Sequence, residues 1–189
     1  MSKLYFRYGA MNSGKTTLLL QVAHNYEERG FKVLVLKPII DTKGEDEIVS
    51  RIGISRKVDY LIEKDFLISN LNLENIACIL VDESQFLTDT QVMDLWRITK
   101  EKNIPVICYG LKIMFNSKMF PGSKRLMELS DCLEEIITIC KCGKRAKFNV
   151  RYVNGKLEKE GSEVVIDGTK NVRYESLCGV CFNKEFYKE

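Results

Sequence analysis

Gly9-Ala10-Met11-Asn12-Ser13-Gly14-Lys15-Thr16 has the spacing G-x-x-x-x-G-K-[ST], and an apolar strand pattern precedes it while a helical pattern follows. The chemistry this serves is phosphate binding. Gly9 and Gly14 permit backbone angles that turn successive N–H groups inward as an anion nest. The start of the following helix adds its partial positive charge. Lys15 is placed to reach the β- and γ-phosphates of ATP, and the Thr16 hydroxyl to ligate magnesium. A second constellation follows the apolar run Cys78 to Val81, where Asp82 and Glu83 stand side by side. In a parallel α/β sheet, ligands gather at the carboxyl ends of strands, so both constellations fall on one edge. Asp82 suits a second magnesium contact through water. Glu83 suits a base that accepts a proton from whatever attacks the γ-phosphate. That attacker is water in an ATPase and a substrate hydroxyl in a kinase, and these residues alone leave the choice open.

The third group is made of cysteines. Cys140 and Cys142 form C-x-C, Cys178 and Cys181 form C-x-x-C, and Gly143 and Gly179 help the backbone turn around a metal. Four thiolates in two close pairs suit a closed, tetrahedral structural zinc site that ties together the ends of segment 143–177. Lys141 and Lys144 are too polar for the alternative of buried apolar pairs, and a reducing compartment disfavours disulfides. Cys78, Cys108 and Cys132 lie in apolar stretches and read as small core residues. The single histidine, His24, leaves little room for a Ser-His or Cys-His triad.

The elements that must position these groups alternate between strand and helix. Strands are expected at 3–8, 33–36, 77–81, 105–111 and 136–140, and helices at 15–29, 59–71, 89–102 and 123–131. Segment 39–58 reads as loop-rich. The alternation implies crossover connections and a mostly parallel sheet. After Cys140 the chain is rich in Lys and Gly, with short strand patterns (FNVRYV, EVVI) and no good helix. This places a boundary between a 1–138 P-loop ATP-binding α/β domain and a 139–189 zinc-binding domain.

With 189 residues the chain buries a sizeable core without disulfides. The net charge of +3, from 29 basic and 26 acidic residues, lacks the strong basic excess of a dedicated nucleic-acid binder. No stretch approaches the roughly 20 apolar residues of a membrane span, and MSKLYFRYGA has no signal-peptide core. The expectation is a cytoplasmic protein with neither nucleic acid nor membrane as partner.

Taken together, the motifs resemble thymidine kinases of the zinc-containing, tetrameric type over essentially the whole chain. Gly9 to Thr16 is similar to that family's G-P-M-F-S-G-K-T loop, and Asp82-Glu83-Ser84-Gln85-Phe86 to its D-E-A-Q-F segment. Asp41-Thr42-Lys43, Ser50-Arg51-Ile52-Gly53, Leu111 to Phe115, Phe120-Pro121-Gly122-Ser123 and the two cysteine pairs also match. The resemblance implies a RecA-like P-loop core plus a small zinc-ribbon-like lobe. It implies transfer of the ATP γ-phosphate to the thymidine 5′-hydroxyl, with Glu83 as base. It extends the ATP-binding set from Gly9 to Thr16 to Asp41, Lys43, Asp82, Glu83, Ser84 and Gln85. It implies a base pocket of Met11, Phe86, Leu111 and Phe115 under a lasso of Val164, Val165, Ile166, Asp167, Gly168 and Tyr174. It further implies a homotetramer with dTTP feedback, and deoxyuridine as a second acceptor. This chain departs from the family in having apolar Ile113 and Met114 where an acidic residue is usual before Phe115. It also has a longer loop before Cys178, and lysine for arginine at Lys43, which lacks the bidentate fork. The rival readings are a P-loop ATPase acting on DNA through a zinc module, a non-catalytic zinc and nucleotide-binding regulator and, within the same class, a kinase of another nucleoside.

Overall fold

Strands buried on both faces need apolar side chains at successive positions, and the runs that meet this condition form the centre of the sheet. The computed structural model describes residues 1–39, 46–161 and 171–187. Six parallel strands lie in the order β5-β2-β6-β7-β1-β8. They are β1 (Leu4–Gly9), β2 (Lys32–Pro38), β5 (Tyr60–Ile62), β6 (Ile76–Val81), β7 (Val106–Leu111) and β8 (Cys132–Glu135). Alternate strand residues feed two cores. Val33, Val35, Cys78, Leu80, Ile107 and Tyr109 pack with Leu19, Leu20 and Ala23 of helix α1 (Lys15–Glu27). Leu36, Ile79, Val81, Val106 and Cys108 face the other way. There they meet Val92, Leu95 and Ile98 of α2 (Asp89–Glu101) and Leu126 of α3 (Pro121–Leu129). The period-2 alternation of strands divides one apolar run between two layers of helix.

Outside the sheet, β3 (Glu47–Val49) and β4 (Ser55–Lys57) form an antiparallel hairpin inside the segment expected to be loop-rich. Toward the C-terminus lie β9 (Thr138–Ile139) and β10 (Arg145–Ala146), then β11 (Phe148–Val153), β12 (Lys156–Glu158), β13 (Val172–Leu177) and α4 (Gly179–Phe186). This small lobe has its own core of Val150, Leu177, Phe182 and Phe186 with Cys140 and Cys178.

Three sequence expectations are corrected. The helix expected at 59–71 is instead strand β5 followed by turns and one 3₁₀ turn at Ile68–Asn70. Gln91 donates from Nε2 to the carbonyls of Glu63, Lys64 and Phe66 at 2.7, 3.1 and 3.1 Å. A side chain from α2 thus satisfies acceptors that helical bonds would otherwise use. The last sheet strand is Cys132–Glu135, upstream of the apolar run 136–140. It is an edge strand and is suitably polar, with Glu134 paired to Arg7 and Glu135 to Arg145, while Ile137 and Ile139 are exposed. The C-terminal region does contain a helix, α4, capped by the Cys178 sulfur, which accepts from the Cys181 N–H at 3.5 Å. Its Phe182 and Phe186 lie one turn apart, with ring centroids at 4.9 Å, and Phe182 stacks on Phe148 at 4.5 Å. FNVRYV is β11 as expected, whereas EVVI lies outside the described residues.

Asp131 pins the sheet edge. Its Oδ2 accepts from the Leu4 N–H at 2.8 Å and from Lys100 Nζ at 2.7 Å. Partial burial pushes its pKa up, but Lys100 and the Leu4 N–H outweigh that and hold it below the usual carboxylate value. A depressed folded pKa confers stability above the unfolded pKa of about 3.9 and loses it as pH falls through the folded value. Asp131→Asn is therefore expected to cost about 1 kcal/mol in urea unfolding at neutral pH and to lessen the loss of stability on acidification. An unchanged acid limb would contradict this.

Candidate active site

The phosphate loop runs from the last residue of β1 into α1. A Cβ on Gly9 would stand 2.5 Å from Ser13 Oγ and 2.6 Å from the Ile136 carbonyl oxygen, so the tight turn requires glycine there. Gly14 has φ 81° and Asn12 φ 62°, both left-handed, and helix bonding begins at once with Leu18 N–H donating to Gly14 O at 3.0 Å. Lys15 Nζ lies over the loop, donating to Ala10 O at 2.8 Å and Ser13 Oγ at 3.3 Å. Burial lowers the pKa of this ammonium, while the charges of Glu83 and Asp82 act to raise it, and nearby Arg51 lowers it further. Desolvated in this way, the Lys15 ammonium gains from a polyphosphate placed against the loop.

The end of β6 brings the acidic pair to the same edge. Thr16 Oγ1 donates to Asp82 Oδ2 at 3.3 Å across 66 residues of sequence. Asp82 is 4% exposed. Burial, and then the adjacent charge of Glu83, push its pKa well above the ordinary carboxylate value. A carboxylate in that state gains much from a cation placed between it and Thr16.

Glu83 has φ 51°, an uncommon conformation for a non-glycine residue, and it turns the chain from the strand into a 3₁₀ turn at Ser84–Phe86. Gln85 Nε2 donates to Glu83 Oε2 at 2.5 Å, and Gln85 Oε1 accepts from the Leu111 N–H at 3.0 Å. Ser84 Oγ donates to Tyr109 O at 2.9 Å. Ser84 and Gln85, expected to contact ATP, are buried and bonded to protein groups, Gln85 linking the Glu83 carboxylate to β7 and Ser84 the 3₁₀ turn to β7. Gly110, which sequence reasoning missed, makes this close approach possible, because a Cβ there would stand 2.7 Å from Ser84 Oγ and 2.8 Å from Gln85 Oε1. A lone glycine inside an apolar strand is the signal that could have found it.

The expected base-pocket residues are distributed around the end of β7. Leu111 ends that strand, and its carbonyl accepts from Ser123 Oγ at 2.5 Å. Phe86 meets Phe120 edge to face at 5.5 Å. Phe115 is buried, with the Arg151 guanidinium 3.8 Å from its ring centroid. Arg151, also missed from sequence, is fully buried, paired with Glu158 and 3.5 Å from the Tyr174 hydroxyl. Tyr174 faces Arg151 across the β11–β13 ladder. Phe115, under the Arg151 guanidinium, and Tyr174, at hydrogen-bond reach of it through its hydroxyl, thus form one connected group between the segment after β7 and the small lobe. Met11 lies in the loop itself, bonded at both peptide groups to the small lobe. Asp41, Lys43 and Val164 to Gly168 lie outside the described residues.

Cys140, Cys142, Cys178 and Cys181 converge, with all four sulfurs within 4.8 Å of one another and Cys142 Sγ 3.6 Å from Cys178 Sγ. Four thiolates bound at about 2.3 Å around one tetrahedral ion would lie about 3.8 Å apart, so the donor set fits zinc. The Cys181 N–H at the start of α4 brings the Cys178 thiol down to about 6, while hydrogen bonds to the neighbouring sulfurs of Cys142 and Cys140 push Cys181 up to about 12.

The sequence model of the family described as "Thymidine kinase" matches residues 2–182. The chain is 45% identical to the thymidine kinase of Francisella tularensis subsp. tularensis, over 94% of this chain and 95% of that protein. It is 45% identical to the thymidine kinase of Chromobacterium violaceum, over 98% and 100%. It is 46% identical to that of Rhizobium meliloti, over 94% of each.

Proposed function

This chain belongs to the thymidine kinase family, and from that premise we propose that it transfers the γ-phosphate of ATP to the 5′-hydroxyl of thymidine, giving dTMP. The observation that carries the reading is the meeting of Lys15, Thr16, Asp82 and Glu83 at one sheet edge. The sheet order supports a RecA-like P-loop core. Gly9 to Thr16 bind the triphosphate, joined by Asp41 and Lys43. Thr16 and Asp82 hold magnesium, which when bound neutralises charge on the phosphate oxygens. Glu83, oriented by Gln85, takes the proton from the sugar hydroxyl as that oxygen attacks phosphorus. Met11, Phe86, Leu111 and Phe115 line the base pocket, and Val164 to Gly168 with Tyr174 close over it. Excluding water from that space lets an alcohol, and not solvent, receive the phosphoryl group. The four cysteines hold a structural zinc that braces the closing segment.

The test combines ATP, magnesium and a panel of nucleosides, scored for monophosphate against free phosphate. Thymidine monophosphate formation is expected, with deoxyuridine as a second acceptor. Phosphate release stimulated by DNA, with no nucleoside phosphorylated, would overturn the reading. No helix among the described residues is long and apolar enough to cross a membrane.

We also propose a homotetramer inhibited by dTTP. Leu133, Ile137 and Ile139 are exposed along the β8 edge and the segment after it, and association would cover them. Light scattering should return four times the 21.8 kDa chain mass, and a monomer mass would refute the assembly.

A further inference from the structure

The backbone of the phosphate loop is held from outside by two side chains that no motif singled out. The Met11 N–H donates to Asn149 Oδ1 at 2.8 Å, and the Met11 carbonyl accepts from Ser176 Oγ at 2.6 Å. Asn149 and Ser176 are direct cross-strand partners in the β11–β13 ladder. Their sequence neighbours Val150 and Leu177 point into the lobe core, so strand alternation presents this polar pair on the opposite face. Asn149 is 3% exposed, and its Nδ2 donates to the Ile113 carbonyl at 3.4 Å. A third bond from the same lobe, Thr138 Oγ1 to the Asn12 carbonyl at 3.3 Å, falls on the next residue of the loop.

Met11 immediately precedes Asn12 and lies three positions before Gly14, the two residues whose left-handed angles aim the loop's N–H groups inward. A loop that must hold several amides in one orientation loses affinity in proportion to the time it spends elsewhere. Fixing the peptide groups on both sides of one residue restricts that wandering. We propose that Asn149 and Ser176 are positioning residues that pre-set the phosphate loop for ATP, so that the small lobe acts on the phosphate end of the site as well as on the acceptor end. The proposal rests on the reading of Gly9 to Thr16 as the ATP loop. Ser176 is two residues before Cys178, so β13 connects the clamp directly to the cysteine cluster.

Ser176→Ala removes one half-buried hydroxyl and leaves the strand intact. Titration with ATP in the absence of nucleoside is expected to show about 5-fold weaker binding, the effect of one lost hydrogen bond. KM for ATP should rise in step, and Ser176→Thr should restore ATP affinity. Asn149→Ala should weaken ATP binding in the same way. In the unaltered chain, the Met11 amide should exchange slowly with deuterated solvent. Unchanged ATP affinity in folded Ser176→Ala and Asn149→Ala, with only the melting temperature lowered, would overturn the clamp, as would rapid exchange at Met11. Lys15→Ala separates this outcome from failure of the underlying reading. If Lys15→Ala loses ATP while the clamp variants keep it, the clamp alone falls. If Lys15→Ala binds ATP like the parent, the assignment of the loop falls and the clamp with it.

Discussion

Glu83→Gln is expected to bind ATP as the parent does and to lower the turnover of thymidine by about 100-fold or more. The substitution preserves shape and the contact that orients it. Gln85 Nε2 donates to an oxygen of residue 83, and a glutamine oxygen can accept the same bond. The left-handed turn at this position is equally accessible to either side chain. What changes is basicity: an amide does not take the proton that the 5′-hydroxyl must lose as it attacks. The effect should therefore appear in kcat, with the ATP dissociation constant unmoved. Parent-like turnover would remove Glu83 from the role of base. Gln85→Ala should show a smaller loss of the same kind, since it leaves the carboxylate in place and removes the group that aims it.

The second large effect concerns the four cysteines. Stripping metal with a strong chelator, or replacing Cys178 with serine, is expected to loosen residues 140–181 and abolish thymidine binding. The lobe core has few large side chains, with Val150, Leu177, Phe182 and Phe186 chief among them, and a core of that size does not hold several short strands by itself. Metal binding supplies the missing free energy in such lobes. Cys178 is central, because its sulfur both joins the cluster and caps α4. The readouts are limited proteolysis of the lobe and direct titration with thymidine. Protease resistance that survives metal removal would show that the lobe stands without it. If the Met11 clamp operates, ATP affinity should fall as well, but less than thymidine affinity, because the loop keeps its own strand-to-helix framework.

The candidate site was legible in short motifs because each is a local requirement. Gly9 must be glycine to turn without striking Ser13 and Ile136, and Lys15-Thr16 follow Gly14 directly to begin α1 at the end of the loop. Asp82 and Glu83 were legible because an apolar strand ending in carboxylates places them at a known edge. The cysteine pairs announced themselves by spacing, and the structure brings all four together.

What the chain could not reveal by itself were decisions made at a distance. Residues 59–71 carry a pattern compatible with a helix, yet Tyr60–Ile62 joins the sheet as β5 and Gln91, a residue of α2, donates to three carbonyls of the turns that follow. The edge strand at 132–135 is polar because half of it faces solvent, so the apolar run directly after it looked like the better strand. Asn149, Ser176 and Arg151 read as ordinary strand residues, and only the ladder that joins β11 to β13 sets them against the phosphate loop and Phe115. Local backbone and metal chemistry depend on near neighbours in sequence and can be read there. Partners for buried polar groups are chosen by whichever surface the fold brings against them, and only the tertiary structure decides which surface that is.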